Sequence, residues 1–449
     1  MLTEEQTLII GDALAPLFDY LEQEVITDIV RRVAKTMEYT RTAELMAMDM
    51  RDLGYSPTKI RAEVLKRLNA DKEFQRILAE NTLAYKKEVS EIIADIVTKA
   101  ELAGDEIVAN AGKMAWIDDL SVWESGGITL TDNGMLDTLV KAMQRQMDGW
   151  IVDLARSTGF KGLRGFEGVE TAYRTELNKA IFKLASGGFS QDKVIRDCVH
   201  TLAESGLRTI DYASGYSRQL TSAVQLAVRT GSHQLSGQIQ KENINQSGVN
   251  LIYVQEHENA RNKGTGVQNH EDWQGKVYYI EGIPDQYKDE AERIGQDKIE
   301  DLWEKTGYSV DGAHENNPLG LYGYNCRHII NPWWEGASIL PDKIPPTPTV
   351  TYKGKTLDGY EQTQEMRRQE WKIRNLKREK EALERTGQDA SIVKAKIRAK
   401  TNEYKEFCSL CGVPPVTSRL RYEANTSDIT KTEAWKAYQD MLKVEASNN

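Results

Sequence analysis

The chain has 449 residues, with 58 Lys and Arg against 68 Asp and Glu, for a net charge of −10. That length holds two to four domains and a sizeable core. The acidic balance excludes a protein that coats nucleic acid over its whole surface. No uncharged apolar run reaches the ~18–20 residues of a membrane-spanning helix, so no membrane partner is expected. Four cysteines make no disulfide framework. The opening MLTEEQTLII lacks the basic start and apolar core of a secretory signal, and synthesis in a reducing cytoplasm is expected.

Residues 1–105 read as an N-terminal helical arm, a candidate for docking on a partner. Thr3 and Gln6 form a capping box. Leu17, Leu21, Val25, Ile29 and Val33 then recur every four residues and build one apolar stripe. Ser56 and Pro57 restart a helix carrying Ile60, Val64 and Leu68. A third helix is predicted from Asp71 to about Leu102, with Phe74, Ile77, Val89 and Ile96 inward. Residues 106–248 continue mostly helical, broken by glycine-rich turns, and the last helix stops near Gly248.

The character changes at residue 249. VNLIYV (249–254), KVYYI (276–280) and RHIINPW (327–333) are β-branched and aromatic and read as strands, with a helix between them over Asp289–Lys305. Residues 249–340 are therefore a small central α+β module. A proline-rich linker (341–357) follows. In 358–449, two charged helices separated by Gly387 form a C-terminal helical hairpin ahead of a polar tail. The predicted class is α+β, predominantly α-helical.

The chemistry-bearing residues concentrate in the central module: His257, His270, His314 and His328 of six histidines, Cys326, and Trp273 and Trp333. Three readings fit them. His257, His270, Cys326 and His328 converging would make a tetrahedral zinc site, although the spacing lacks the close pairs of common structural sites. Cys326 with His257 or His270 as base would make a metal-free hydrolase. The reading adopted is a packed polar network in which Arg261, Asp272 and Arg327 pair with imidazoles and carbonyls. Cys408 and Cys411 form a lone C-x₂-C with no second pair, read as incidental thiols. There is no phosphate-binding P-loop, dinucleotide fingerprint or nucleophile elbow.

From Arg367 to Lys400 there are 12 Lys and Arg against 5 Asp and Glu, a surplus of +7 that leaves the remainder at −17. Arg367, Arg368, Lys372, Arg374, Lys377, Arg378 and Lys380 are therefore candidate contacts to a phosphate backbone or an acidic partner.

Three strings together resemble one family: H-x₃-R ending at Arg261, H-x₂-WQGKVY from His270, and YNCRH from Tyr324. They are similar to the tailed-bacteriophage minor capsid protein 2 family, which is related to Mu-type head morphogenesis proteins. EQTQEMRRQEWKIRNLKREK, from Glu361 to Lys380, resembles that family's C-terminal helix. The matching positions are His257, Arg261, His270, Trp273, Gly275, Lys276, Asn325, Cys326, Arg327 and His328. The resemblance implies a structural virion component rather than an enzyme, with no cofactor and these residues as a structural signature. It implies a location in the phage head near the portal, after synthesis in the bacterial host cytoplasm. The implied partners are the portal protein, other head proteins and packaged DNA, and the implied work is head assembly, DNA packaging or DNA ejection.

Overall fold

The computed structural model describes residues 2–162, 165–186, 188–211, 215–307 and 318–448. The structure is 67% helical, and the described residues form three small sheets. The predicted class, mostly α with a small α+β part, is the observed one.

Helix α1 (Glu4–Ala13) begins on the predicted capping box: Gln6 N–H donates to Thr3 Oγ1 at 3.1 Å, and Thr3 N–H to Gln6 Oε1 at 2.6 Å. In α2 (Ala15–Glu38) the predicted stripe is fully buried, but inside the chain's own core. That stripe is therefore consumed by packing within the chain. After α3 (Arg41–Asp52), α4 (Pro57–Ala70) starts at the predicted Ser56 cap. Helix α5 (Lys72–Ser125) is a single helix of 54 residues and passes the predicted stop near Leu102. Small and apolar residues carry its inner stripe onward through Ala103, Ile107, Val108 and Ala111. They pack against α6 (Met135–Arg156). At Gly112 a Cβ would stand 2.7 Å from Val140 Cγ2, so close packing there requires glycine.

The stretch predicted as mostly helical also contains a sheet. β1 (Thr158–Gly162), β2 (Gly165–Gly168), then beyond α7 (Val169–Ala185) and α8 (Gln191–Ser205), β3 (Arg208–Ile210) and β4 (Ser217–Gln219) pair antiparallel in the order β2-β1-β3-β4. Its strands of three to five residues are too short to show a period in the sequence. Helix α9 (Leu220–Ser247) runs through the middle of the molecule and stops at Gly248, which adopts φ +70°.

The central sheet has the order β7-β6-β5-β8, from β5 (Leu251–Val254), β6 (Lys276–Tyr279) after α10 (His270–Trp273), β7 (Glu300–Asp301) after α11 (Lys288–Ile294), and β8 (Ile330–Pro332) after α12 (Leu302–Thr306). β5 is antiparallel to β6 and β8, and β6 is parallel to β7. Side chains alternate across it. Ile252, Val254, Tyr278 and Ile330 join Trp123 and Trp273 on one face, whereas Leu251, Tyr253, Val277 and Tyr279 join Tyr287 and Trp333 on the other. The single helix predicted over Asp289–Lys305 is instead two short helices and a strand, because Gly295 closes α11 at φ +69°.

The hairpin β9 (Val350–Tyr352) and β10 (Lys355–Leu357) leads into α13 (Gly359–Arg385), which starts on an Asp358–Glu361 capping box. Gly387 at φ +70° follows, then α14 (Ser391–Leu410), which pairs with α13 as the predicted hairpin. α15 (Glu433–Asn448) lies along α1.

One buried ion pair joins distant parts of the chain. Arg378 of α13 and Glu22 of α2 bond with side chains 4% and 2% exposed. Glu22 Oε1 also accepts Leu207 N–H at 2.6 Å, and Arg378 donates to the Ala203 carbonyl at 3.0 Å. Removing one partner strands the other charge in the core. Arg378→Met is expected to cost ~3–5 kcal/mol in urea unfolding. Adding Glu22→Gln, which keeps an acceptor for Leu207 and buries no charge, should recover most of that; no recovery would sink the account.

Candidate functional site

The chemistry-bearing residues of the central module meet between its sheet and α9. The chain leaves β5 and reaches His257 within three residues. α10 supplies His270 and Trp273, and the segment after Leu319 supplies Cys326 and His328. Arg261 holds these pieces together. Its guanidinium donates to the carbonyls of Leu319 (3.2 Å) and Tyr324 (3.0 Å), and its own carbonyl accepts His270 N–H at 2.8 Å. Tyr322 and Asn325 take left-handed backbone at φ +59° and +58°. Such geometry is costly for tyrosine. Its hydroxyl donates to Gln240 Oε1 and its ring packs on His233 at 4.7 Å, and these contacts hold it. Gly275 donates to the Val254 carbonyl at 2.9 Å from φ +69°, and Lys276 Nζ donates to the Asp272 carbonyl at 2.6 Å.

The imidazole tautomers follow from their partners. His270 Nε2 faces the Leu319 carbonyl at 2.7 Å, which only accepts, so Nε2 carries the proton. Gln274 Oε1 accepts His257 N–H at 2.8 Å, which fixes the amide, and the same oxygen faces His328 Nε2 at 2.8 Å. His328 is therefore also protonated on Nε2, and its Nδ1 faces Cys326 Sγ at 3.6 Å. His257 turns away: Nε2 meets Glu4 Oε2 at 2.7 Å and Nδ1 meets the Glu258 carbonyl. Trp273 packs on His270 at 4.5 Å and on His328 at 4.7 Å.

The electrostatics are those of a desolvated cluster. Burial lowers His270 to about 4 and His233 to about 4. Burial, then the neighbouring His270, lowers His328 well below the usual imidazole range. Burial pushes the Cys326 thiol up to about 11. A nucleophilic cysteine needs the opposite shift, toward thiolate. Neutral Cys326 beside neutral His328 is thus a hydrogen-bonded pair and not an activated dyad. Glu4 is held at about 2: burial would raise it, but the hydrogen bond to His257 and the charge of Arg327 outweigh that.

Of the four residues predicted as metal ligands, His270, Cys326 and His328 bring one donor atom each within 4.8 Å of one another, all buried. His257 is engaged elsewhere. Two imidazoles and a thiol suit Zn²⁺ in donor type. His314 lies outside the described residues. Cys408 packs with Ile373 and Tyr404, and neither it nor Cys411 is disulfide-bonded.

The predicted basic contacts divide. Arg368 pairs with Glu365, Lys380 with Glu384, and Lys377 donates to the Leu420 carbonyl. Arg378 is buried against Glu22 and is not available to a phosphate. Among the described residues, Arg367, Lys372 and Arg374 form no close ion pair, although Glu370, Glu365 and Asp19 act on them by charge. Glu4, Gln274 and His233 belong to the cluster but were not foreseen. Glu4 lies some 250 residues from His257 in sequence, and nothing in its own surroundings marks it.

The fold and the cluster together define a mostly helical protein whose polar centre fastens chain segments to one another. The chain belongs to the phage minor capsid protein 2 family, whose model matches residues 2–409. Neither the curated proteins nor the solved structures give a match. With the family come a structural role in the phage head, a place in the virion and contact with other head proteins, and a non-enzymatic role is the one it suggests. Among the described residues, no helix is long and apolar enough to cross a membrane.

His233, His270 and His328 set an acid limit. Each has a folded-state pKa below its unfolded value, so its contribution is full above ~6.5 and is lost as pH falls toward 4. Asp19, raised to about 7 by burial and by Glu22, acts in the opposite sense across the same window and offsets one of the three. Stability in urea should fall by roughly 3 kcal/mol per pH unit between 6.5 and 4.5. His270→Gln should flatten the slope, and a flat profile in the parent protein would refute the assignment.

Proposed function

We propose that the protein stands in the phage head at or beside the portal, where it helps head assembly, DNA packaging or DNA ejection by joining the portal to neighbouring head proteins. The observation that carries this reading is a corner of apolar side chains at the α3–α4 turn. Leu45 (45% exposed), Met48 (37%), Leu53 (75%) and Tyr55 (39%) are all open to solvent there. Leu45 and Met48 lie at i and i+3 on one face of α3, and the other two follow in the turn. The apolar stripe of α2 is consumed inside the molecule, so this corner is the part of the N-terminal region that supports docking.

Leu45→Asp with Leu53→Asp should leave the far-ultraviolet spectrum and unfolding midpoint unchanged, because both side chains are exposed. The same variant should lose co-purification with portal and be depleted from purified heads. Undiminished incorporation of the folded variant would end the proposal.

A second reading concerns the cluster itself. The meeting of His270, Cys326 and His328 supplies three buried donors of a type that suits Zn²⁺, and with His257 turned away the fourth position would fall to a group outside the three. Elemental analysis of purified full-length protein should then give one zinc per chain, lost in Cys326→Ser. A metal-free, fully folded protein would leave the cluster as a hydrogen-bonded network alone.

A further inference from the structure

Arg367, Arg374 and Arg378 follow at i, i+7 and i+11, which is one face of α13. That face turns inward. Arg378 reaches Glu22, whereas Arg367 and Arg374 line a cleft of about 510 Å³ between α1, α9, α13 and the Thr417–Leu420 turn. Through Asn325, Arg327, Arg367 and Arg419 it adjoins a larger cleft of about 840 Å³ that borders His257 and His328. Arg229 enters from α9 across Gly11, where a Cβ would stand 2.2 Å from its Cγ. Arg327 comes from the central module, and Arg419 from the tail beyond the family match.

Glu5, Asp12, Asp19, Glu370 and Glu423 also line the cleft, and Asp12 and Glu370 act by charge on Arg229 and Arg367, but arginines outnumber them there. Glu4 serves both Arg327 and His257. Asp12 accepts the Gln225 amide at 2.9 Å, and Glu423 accepts Glu433 N–H at 2.7 Å. Glu370 accepts the Tyr404 hydroxyl at 3.0 Å and lies 4.0 Å from Arg419. Arg367 forms no hydrogen bond or ion pair with a protein group among the described residues. Burial, then the charges of Arg327, Arg229 and Arg419, hold its pKa down to about 10, so it stays a cation at neutral pH.

Half-buried like charges repel across little water, and their convergence calls for an anion from outside the chain. We propose that the cleft binds a phosphate-bearing anion between Arg229, Arg327, Arg367 and Arg419. A carboxylate offers two oxygens and one charge, enough for one guanidinium fork. A terminal phosphate offers three oxygens and about −1.5 to −2 charges, which suits donors arriving from several elements. The proposal is independent of the docking corner on α3 and α4.

The test uses full-length protein and pyrophosphate at low ionic strength, read by thermal unfolding and calorimetry, with chloride as the ionic-strength control. Pyrophosphate should raise Tm and bind with one equivalent. Arg367→Gln should weaken binding roughly tenfold or more. Because Arg367 has no protein partner, the Tm of that variant without ligand should equal or exceed that of the parent. Arg76→Gln, on an exposed stretch of α5, should bind like the parent. Competition by a 5′-phosphorylated oligonucleotide would assign the phosphate to a nucleic-acid strand, and competition by inorganic phosphate alone to a free ion. The proposal is overturned if pyrophosphate neither raises Tm nor binds. It is equally overturned if Arg367→Gln binds as tightly as the parent, or if a polyglutamate peptide binds as tightly as pyrophosphate.

Discussion

A charge at the centre of this protein cannot be left alone, and much of the architecture follows from that constraint. Glu22 and Arg378 sit where water does not reach, so each needs the other and both need the backbone groups around them. Meeting that need brings α2, the α8–β3 turn and α13 to one point. The Tyr422 ring lies 5.8 Å from the Arg378 guanidinium and adds the tail as a fourth participant. The pair adds little net stability compared with an apolar pair of the same size. What it supplies is a unique register, since a shift of either helix would strand a charge.

That register sets up the polar cluster at the other end of α1. With α1 lodged between α9 and α15, Glu4 in its first turn reaches both His257 and Arg327. The central module is thereby tied to the N-terminus by charge and to α9 by Tyr322, His233 and Gln240. Within the cluster, one carbonyl (Leu319) and one amide oxygen (Gln274) each accept from two partners. Arg261 and His270 share the first, and His257 and His328 share the second. The residues that stand out in the sequence thus fasten loops that have little regular structure of their own. Burial then favours neutral His233, His270 and His328 and a protonated Cys326, which suits a fastening better than a reaction.

The sequence was legible where structure is local. The Thr3 capping box, the Ser56–Pro57 start, the α2 stripe and the glycine stops at 248 and 387 are written within a few residues, and the structure has each of them. The α5 stop was misplaced because Ala103, Gly104 and Ala111 look like weak helix signals until α6 and α9 are packed against them. The β2-β1-β3-β4 sheet is invisible in the sequence because strands of three to five residues carry no period, and its partners are up to 51 residues apart. At the site, His257, His270, His328, Cys326 and Arg261 are legible by their residue types, whereas His233 is not. Nor are Glu4 and Arg229, since their significance comes only from what the fold places beside them.

The surplus of +7 shows the same limit in its sharpest form. Read along the chain, Arg367 and Arg378 are equivalent members of one basic helix. In the fold they share a face and meet opposite circumstances. Arg378 has Glu22 within hydrogen-bond reach, so its charge is spent inside the molecule. Arg367 meets Arg229, Arg327 and Arg419, so its charge is left over. Net charge counts both as one, whereas the energy of each is fixed by its nearest opposite charge. A basic helix on an acidic protein is therefore weak grounds for an outward DNA-binding face. Here it marks the side on which the protein closes over its own carboxylates, and the arginines that find none face the cleft.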